Sequence, residues 1–344
     1  MTKLLFITQQ VDPRHPALAA TVPKIAALAA HVDEVVVLAD GAVPGVLPDN
    51  CRVRTFRAGH RVLRGARFET ALARELPGLR GGAVVAHMCP IYAVLAAPLV
   101  RSLRIPLVLW FTHWRASDLL KAAERASTAV TSVDLRSFPL PSRKLRAIGH
   151  GIDLAEFPCA PPREGPGTRL LALGRYSTAK GLDVTVAAVP LAGDDVELHV
   201  HGPALSEDEH AHRRELEQLV GELRLDGRVT IGDSVPRAEI PALLASHDAL
   251  VNNMRAGAPD KVVYEAAASC VPVLASNPIF DDLLAPEQRF TRWDPNSLAE
   301  RIRGVAAMSP AEKAALGVRL RERVAESHSV QSWARGILDA AGIA

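Results

Sequence analysis

Short runs of apolar, often β-branched residues alternate along the whole chain with longer stretches rich in alanine and leucine. That alternation is the signature of parallel strands joined by covering helices. In the first half the runs at 4–8, 35–39, 53–56, 83–88, 106–112 and 129–132 read as strands; in the second half those at 170–174, 196–201, 228–231, 249–252 and 271–276 do. Most of their residues are apolar, as strands covered on both faces require. Between the two series lies Phe157-Pro158-Cys159-Ala160-Pro161-Pro162-Arg163-Glu164-Gly165-Pro166-Gly167, too rich in proline and glycine for regular structure. The expected architecture is α/β: two doubly wound Rossmann-like domains, 1–155 and 169–325, joined by a linker at 156–168 and facing each other across a cleft. The helical tail leaves a C-terminal helix, 326–344, free to pack back on the first domain. Open α/β sheets bind ligands at the carboxyl ends of their strands, so function is expected in the loops that follow them.

A length of 344 residues suits two domains, and 48% hydrophobic with 23% charged residues excludes disordered and fibrous classes. One uncharged stretch, 81–100, is bracketed by Arg80 and Arg101 as a membrane span would be. His87, Pro90 and Pro98 interrupt it, and it reads better as a strand, a turn at Cys89 and a helix opening at Pro90. The first residues reach Gln9 and Gln10 too soon for a signal peptide. Cys51, Cys89, Cys159 and Cys270 lie far apart with no C-x-x-C pair, which argues against structural zinc and against a disulfide framework. A cytoplasmic protein is the expectation. The net charge of +2 conceals an asymmetry: residues 1–150 hold 20 Lys and Arg against 10 Asp and Glu, leaving the remainder acidic. Arg52, Arg54, Arg57, Arg61, Arg64 and Arg67 crowd one segment, with an amphipathic helix from 61 to 76. Two readings stand: a solvated arginine-rich face, or peripheral contact with an anionic inner-membrane face or acceptor. No nucleic-acid partner is expected.

Two stretches carry candidate chemistry. In Leu170-Leu171-Ala172-Leu173-Gly174-Arg175-Tyr176-Ser177-Thr178-Ala179-Lys180-Gly181 a buried strand ends in glycine, a guanidinium follows, and an ammonium comes five residues later. Such a pair can clamp a diphosphate, although a surface turn would look the same. In Asn252-Asn253-Met254-Arg255-Ala256-Gly257-Ala258-Pro259-Asp260-Lys261-Val262-Val263-Tyr264-Glu265 a strand ends in amides, Gly257 permits a sharp turn, and Pro259 presets a helix whose free N–H groups suit an anion. Glu265 then lies within reach of that anion's ribose, or faces solvent.

Together these stretches resemble the nucleotide-sugar domain of retaining glycosyltransferases of family 4, which have the GT-B fold. Gly149-His150-Gly151-Ile152-Asp153 with Phe157 is similar to the family's interdomain segment, Gly174-Arg175…Lys180-Gly181 to its phosphate element, Asp260-Lys261…Glu265 to its Asp-Lys variant, and Val271-Pro272-Val273 to the strand that follows. At the start, Thr8-Gln9-Gln10-Val11-Asp12-Pro13 and Pro16-Ala17-Leu18 are similar to the acceptor-domain opening. The resemblance implies transfer of a hexose from a nucleoside-diphosphate sugar to a hydroxyl on a glycan, a lipid-linked sugar or a small molecule, with retention and without a metal or other cofactor. It gives Arg175 and Lys180 the diphosphate and Glu265 the ribose, with Gly257, Asp260 and Lys261 forming the turn and helix start at the donor. His113, after the strand at 106–112, is given the donor sugar by the same resemblance, the alternative being a histidine satisfied by backbone. Asp12, His15 and His87 are the acceptor candidates. Base contacts are expected from backbone around 233–235. Two departures matter: Gly257 stands where the usual pattern has a glutamate, and Ala19 where relatives carry glycine. A non-catalytic partner of a transferase would accommodate both. A sugar-nucleotide epimerase shares the fold, but the cleft carboxylates it needs cannot be assembled. His199 with His201, His210 with His212, Asp194-Asp195 and Asp281-Asp282 do not make metal patterns.

Overall fold

The computed structural model describes residues 2–15 and 18–343, so Pro16 and Ala17 of the opening motif lie outside the described residues. The chain divides into two compact units, Met1–Asp153 with Ser327–Ala344, and Leu154–Glu326. In the first unit the order is β1 (Lys3–Val11), α1 (Thr21–Ala29), β2 (Glu34–Ala42), β3 (Cys51–Thr55), α2 (Arg61–Glu75), β4 (Ala83–His87), α3 (Pro90–Ser102), β5 (Leu107–Trp110), α4 (Asp118–Ala126), β6 (Ala129–Ser132) and β7 (Leu145–Ala147). They form a seven-stranded parallel sheet of order β3-β2-β1-β4-β5-β6-β7. In β1, an interior strand paired with β2 and β4, Leu4, Leu5, Phe6 and Ile7 have no exposure at all, because helices cover both faces. On one side Phe56, Phe68 and Tyr92 pack as an aromatic trio with centroids 4.6 to 5.4 Å apart.

The second unit runs β8 (Thr168–Leu173), α5 (Leu182–Ala192), β9 (Val196–His201), α6 (Glu207–Glu222), β10 (Val229–Gly232), α7 (Ile240–Ala245), β11 (Ala249–Asn252), α8 (Lys261–Ala268), β12 (Val273–Ala275), α9 (Pro295–Ala306) and α10 (Pro310–Ser327). Its five strands are parallel in the order β10-β9-β8-β11-β12. Both are doubly wound Rossmann-like sheets.

A last helix, α11 (Val330–Ala341), belongs to the first unit, where it packs on α1, β5 and β6 and buries Trp333 completely. Ser329 caps it, its hydroxyl accepting from Ser332 N at 3.1 Å. Ile152 and His328 join the returning chain by a 2.7 Å backbone bond, and Val330 N reaches the Ile152 carbonyl at 2.9 Å. Gly149 and Gly151 are glycine for this reason. Both have φ near +80°, and a β-carbon on the first would strike the Ser327 carbonyl, on the second Lys24 and Trp333.

Two expectations need correcting, and one strand went unread. The strand at 106–112 ends at Trp110, where its pairing with β6 stops. β7 was not legible: it is three residues at a sheet edge with a central arginine. Most importantly, Cys159 and Cys270 form a disulfide, where separate thiols were expected. Their separation of 111 residues hid a contact that the fold creates. Residues 156–168 are part of the second unit: Phe157 is fully buried, Ala160 N reaches the Ser269 carbonyl at 3.0 Å, and Arg163 pairs with buried Asp248 at 2.8 Å. Cys51 and Cys89 remain thiols, which burial pushes up to about 11 and about 12. Among the described residues no helix is long and apolar enough to cross a membrane.

Candidate functional site

β8 buries Leu170 and Leu171 and leads into Gly174, whose φ of +135° is open to glycine alone. A β-carbon at 174 would collide with the Lys180 ammonium, and one at 202 with the Gly174 carbonyl, so the two glycines let the turn lie flat against the end of β9. The Ser177 hydroxyl caps a single 3-10 turn over Thr178–Lys180, and Gly181, at φ +56°, ends that turn and starts α5. This local path sets Lys180 back against the strand. Its ammonium donates to the Leu173 carbonyl at 3.1 Å and pairs with the Asp260 carboxylate, leaving one of three N–H donors uncommitted. Arg175 is placed differently: its side chain is 59% exposed and touches Glu209 of α6 at 3.1 Å. Tyr176 turns inward, and its hydroxyl donates to the Gly232 carbonyl at 2.5 Å, fixing the end of β10 just before the 233–235 segment expected to meet a base. Burial raises that phenol to about 12, so it stays a donor.

The second stretch packs beside the first. Asn252 Nδ2 donates to Asp260 at 2.7 Å, Asn253 Nδ2 to the Gly181 carbonyl at 3.1 Å, and Asn277 Nδ2 to the Arg255 and Ala258 carbonyls. The amides at the end of β11 therefore pin the loop rather than stand open. Gly257, at φ +78°, makes its turn. Pro259 does not open the helix as expected: Asp260 is the N-cap residue and α8 begins at Lys261, with no side chain capping its first N–H groups because the Asp260 carboxylate is drawn to Lys180 and Asn252. Those N–H groups point out of a helix whose N-terminus carries partial positive charge. Glu265 does not face solvent. It is buried and held by Lys261 at 2.9 Å and by Arg237 at 3.0 Å, and Arg237 also grips Glu156 at 2.7 Å.

The sequence reading missed Arg237, and it missed two further cations. Arg255 N and the Arg292 guanidinium both donate to the Ala179 carbonyl, at 3.0 and 3.2 Å, which brings two more arginines to the Lys180 turn. Burial, and then the neighbouring Arg255, lower the Arg292 pKa. Arg237 and Arg292 each arrive from a separate loop that no local sequence feature marks, whereas Arg255 shares its loop with Gly257 and Asp260. Arg175, Lys180, Gly257 and Asp260 thus lie in carboxyl-edge loops of one sheet, and Lys261 and Glu265 in the first two turns of α8, which follows one of those loops. The cations there are Arg175, Lys180 and Lys261, and the Glu265 carboxylate beside them is clamped by Lys261 and Arg237.

The remaining candidates belong to the first unit. His113 follows β5 by three residues; its backbone N–H reaches the Ser137 carbonyl at 3.2 Å, and its Nδ1 accepts from Arg115 N at 2.9 Å. That bond fixes the tautomer with the proton on Nε2, and burial and then Arg115 lower the pKa, keeping the ring neutral. His87 is buried at 3% exposure, stacked on Trp110 at 4.6 Å, so it sits inside the fold rather than on the loop surface. Asp12 and His15 cap one turn, accepting from Arg14 N at 2.8 Å and Leu18 N at 3.1 Å. Ala19 is buried beside the start of α1.

The weak metal patterns find other partners. His199 pairs with His247 at 2.9 Å, His212 with Glu215 at 3.2 Å, and Asp281 with Arg289 at 2.9 Å. Among the described residues no group of three or more His, Cys, Asp or Glu is arranged to hold a metal ion.

Residues 167–307 match the family model described as glycosyl transferases group 1. No curated protein matches the chain. Among solved structures it is similar to HepE of Anabaena in complex with UDP, at 18% identity over 99% of both chains with a TM-score of 0.75. It is also similar to sucrose-phosphate synthase of Thermosynechococcus elongatus, at 19% identity over 98% of both chains and a TM-score of 0.74. A glycosyltransferase from Rickettsia africae is similar at 12% identity, over 99% of this chain and 97% of that one, with a TM-score of 0.73. At such identities the likeness is one of fold: the chain has the GT-B architecture of two Rossmann-like domains.

Proposed function

We propose that this chain is a retaining glycosyltransferase that moves a hexose from a nucleoside-diphosphate sugar to an acceptor hydroxyl. The observation that carries the reading is the convergence of Arg175, Lys180 and the N-terminus of α8 at one sheet edge, with Glu265 clamped behind them. The segment that holds them lies within the region similar to group 1 glycosyl transferases. Arg175 and the uncommitted Lys180 donor meet the diphosphate, and Glu265 accepts from the ribose hydroxyls. As the bond from sugar carbon to phosphate oxygen breaks, negative charge grows on the departing diphosphate, and these fixed cations stabilise it in place of a divalent ion. The acceptor oxygen bonds to the sugar carbon on the face the leaving group vacates, and its proton passes to the departing phosphate. His113, with its proton on Nε2, donates to a sugar hydroxyl.

A second reading has its own support. Gly257 removes a carboxylate from the donor loop, which suits a protein that binds the donor without turning it over.

Titration calorimetry tests the donor site, starting with UDP because the HepE complexes contain it. Arg175→Ala and Lys180→Ala should each weaken nucleoside-diphosphate affinity about tenfold or more, the loss of a charge-assisted contact. Unchanged affinity in both variants removes the donor site. Tight binding with no turnover across an acceptor panel selects the second reading, and hydrolysis or transfer that requires added magnesium refutes metal independence.

A further inference from the structure

Val62, at 74%, is the most exposed large apolar side chain among the described residues, and Leu63 beside it is 49% exposed. Both lie in the first turn of α2. Ile91, 43% exposed, lies in the first turn of α3, which packs on α2. These helices follow β3 and β4, so all three side chains sit at the carboxyl edge of the first unit's sheet.

The arginines of this segment divide into two groups. Arg52 and Arg54 are consumed by Glu34 and buried Glu75, a cluster completed by Lys3 at 2.9 Å. Burial pushes the Glu75 carboxyl up, but its three cationic partners outweigh that and hold it at about 2. Arg64 is 3.9 Å from Asp40. Arg57, Arg61 and Arg67 are exposed and, among the described residues, none has a carboxylate within ion-pairing reach. The Arg67 guanidinium donates instead to the Arg57 carbonyl at 2.5 Å. Moreover the first turn of α2 contains no acidic residue, so three arginines gather around a helix end already positive. That arrangement works against the helix unless an external anion answers it.

A soluble anion would answer the charge and leave the apolar tip in water. An acidic bilayer answers both, because aliphatic side chains enter the acyl boundary while arginines above them meet lipid phosphates. We propose that this edge of the first unit docks on a bilayer surface rich in acidic phospholipid, with Val62, Leu63 and Ile91 inserted and Arg57, Arg61 and Arg67 as the collar. The inference does not rest on sugar transfer.

Sedimentation of the full chain with vesicles tests it. The protein should pellet with phosphatidylcholine vesicles containing phosphatidylglycerol, not with phosphatidylcholine alone, and should be released as salt shortens the screening length from about 10 Å to about 3 Å. R57Q/R61Q/R67Q should lower the partition coefficient about a hundredfold, at about fivefold per arginine. V62S/L63S should lower it about tenfold or more, and both variants should keep the parent thermal midpoint, since the altered side chains are exposed. R80Q/R104Q, changed at the opposite edge of the same sheet, should bind as the parent does. The proposal is overturned if the parent binds neither vesicle or both equally, or if V62S/L63S binds undiminished, which would leave a general polyanion site. Equal loss in R80Q/R104Q overturns it too, since net charge alone would then act.

Discussion

A methyl group at position 174 would have to occupy the space of the Lys180 ammonium. The backbone at φ +135° also excludes a β-carbon, so Gly174→Ala should cost about 1 to 3 kcal/mol of stability and displace Lys180 from its place beside Asp260. Calorimetry should therefore find nucleoside-diphosphate affinity reduced as much as in Lys180→Ala; wild-type affinity would mean that the lysine is not held by this turn. The glycine, the arginine and the lysine were legible as a spaced pattern because the chain itself supplies the spacing. Arg237 was not, because its hold on Glu265 joins positions 28 residues apart and no local sequence feature marks it. The same holds for Arg292, which meets Ala179 across 113 residues.

At the level of elements, strands with continuous apolar runs were read to within a few residues, and β6, β9 and β11 to the residue. Edges were harder. β3 alternates arginine with apolar residues and β7 has an arginine at its centre, since an edge strand is half solvated and loses the run that betrays a central one. The turn between α7 and β11 holds a consequence of burial. His247 is held by the Leu243 carbonyl and by His199, and burial drives its imidazole down to about 4. His328, in the first unit, is driven to about 4 by the same cause. Each stays neutral when folded, whereas the unfolded chain takes up a proton below about 6.5. Stability is therefore full above that value and falls as pH drops from about 6.5 to about 4, by up to about 1.4 kcal/mol per unit for each histidine. Urea titrations at stepped pH should show this decline, and His247→Gln should flatten it in the second unit alone. A flat profile between pH 6.5 and 5 would contradict the burial of both rings.

Across the whole molecule the division into two units and the opposed charge of the halves were readable, because composition shifts at the proline-rich segment. The disulfide was not, since spacing alone cannot announce a bridge between residues 111 apart. It ties the 159 region to the end of α8, and closing so long a loop typically adds about 2 to 4 kcal/mol by restricting the unfolded chain. Reduction should lower the thermal midpoint of the second unit and spare the first; an unchanged transition would show that the bridge is not formed in solution. The helix α11 has a different bearing. Residues 327–343 complete a unit whose first part ends at Asp153, and without them the faces of α1, β5 and β6 that receive α11 stay open. The second unit, continuous from 154 to 326, has all its residues first. During vectorial synthesis the usual order, in which the N-terminal domain folds first, is then inverted. A chain truncated after residue 326 should already protect the second unit from protease while leaving the first cleavable, so that residues made before 154 become native after those made later.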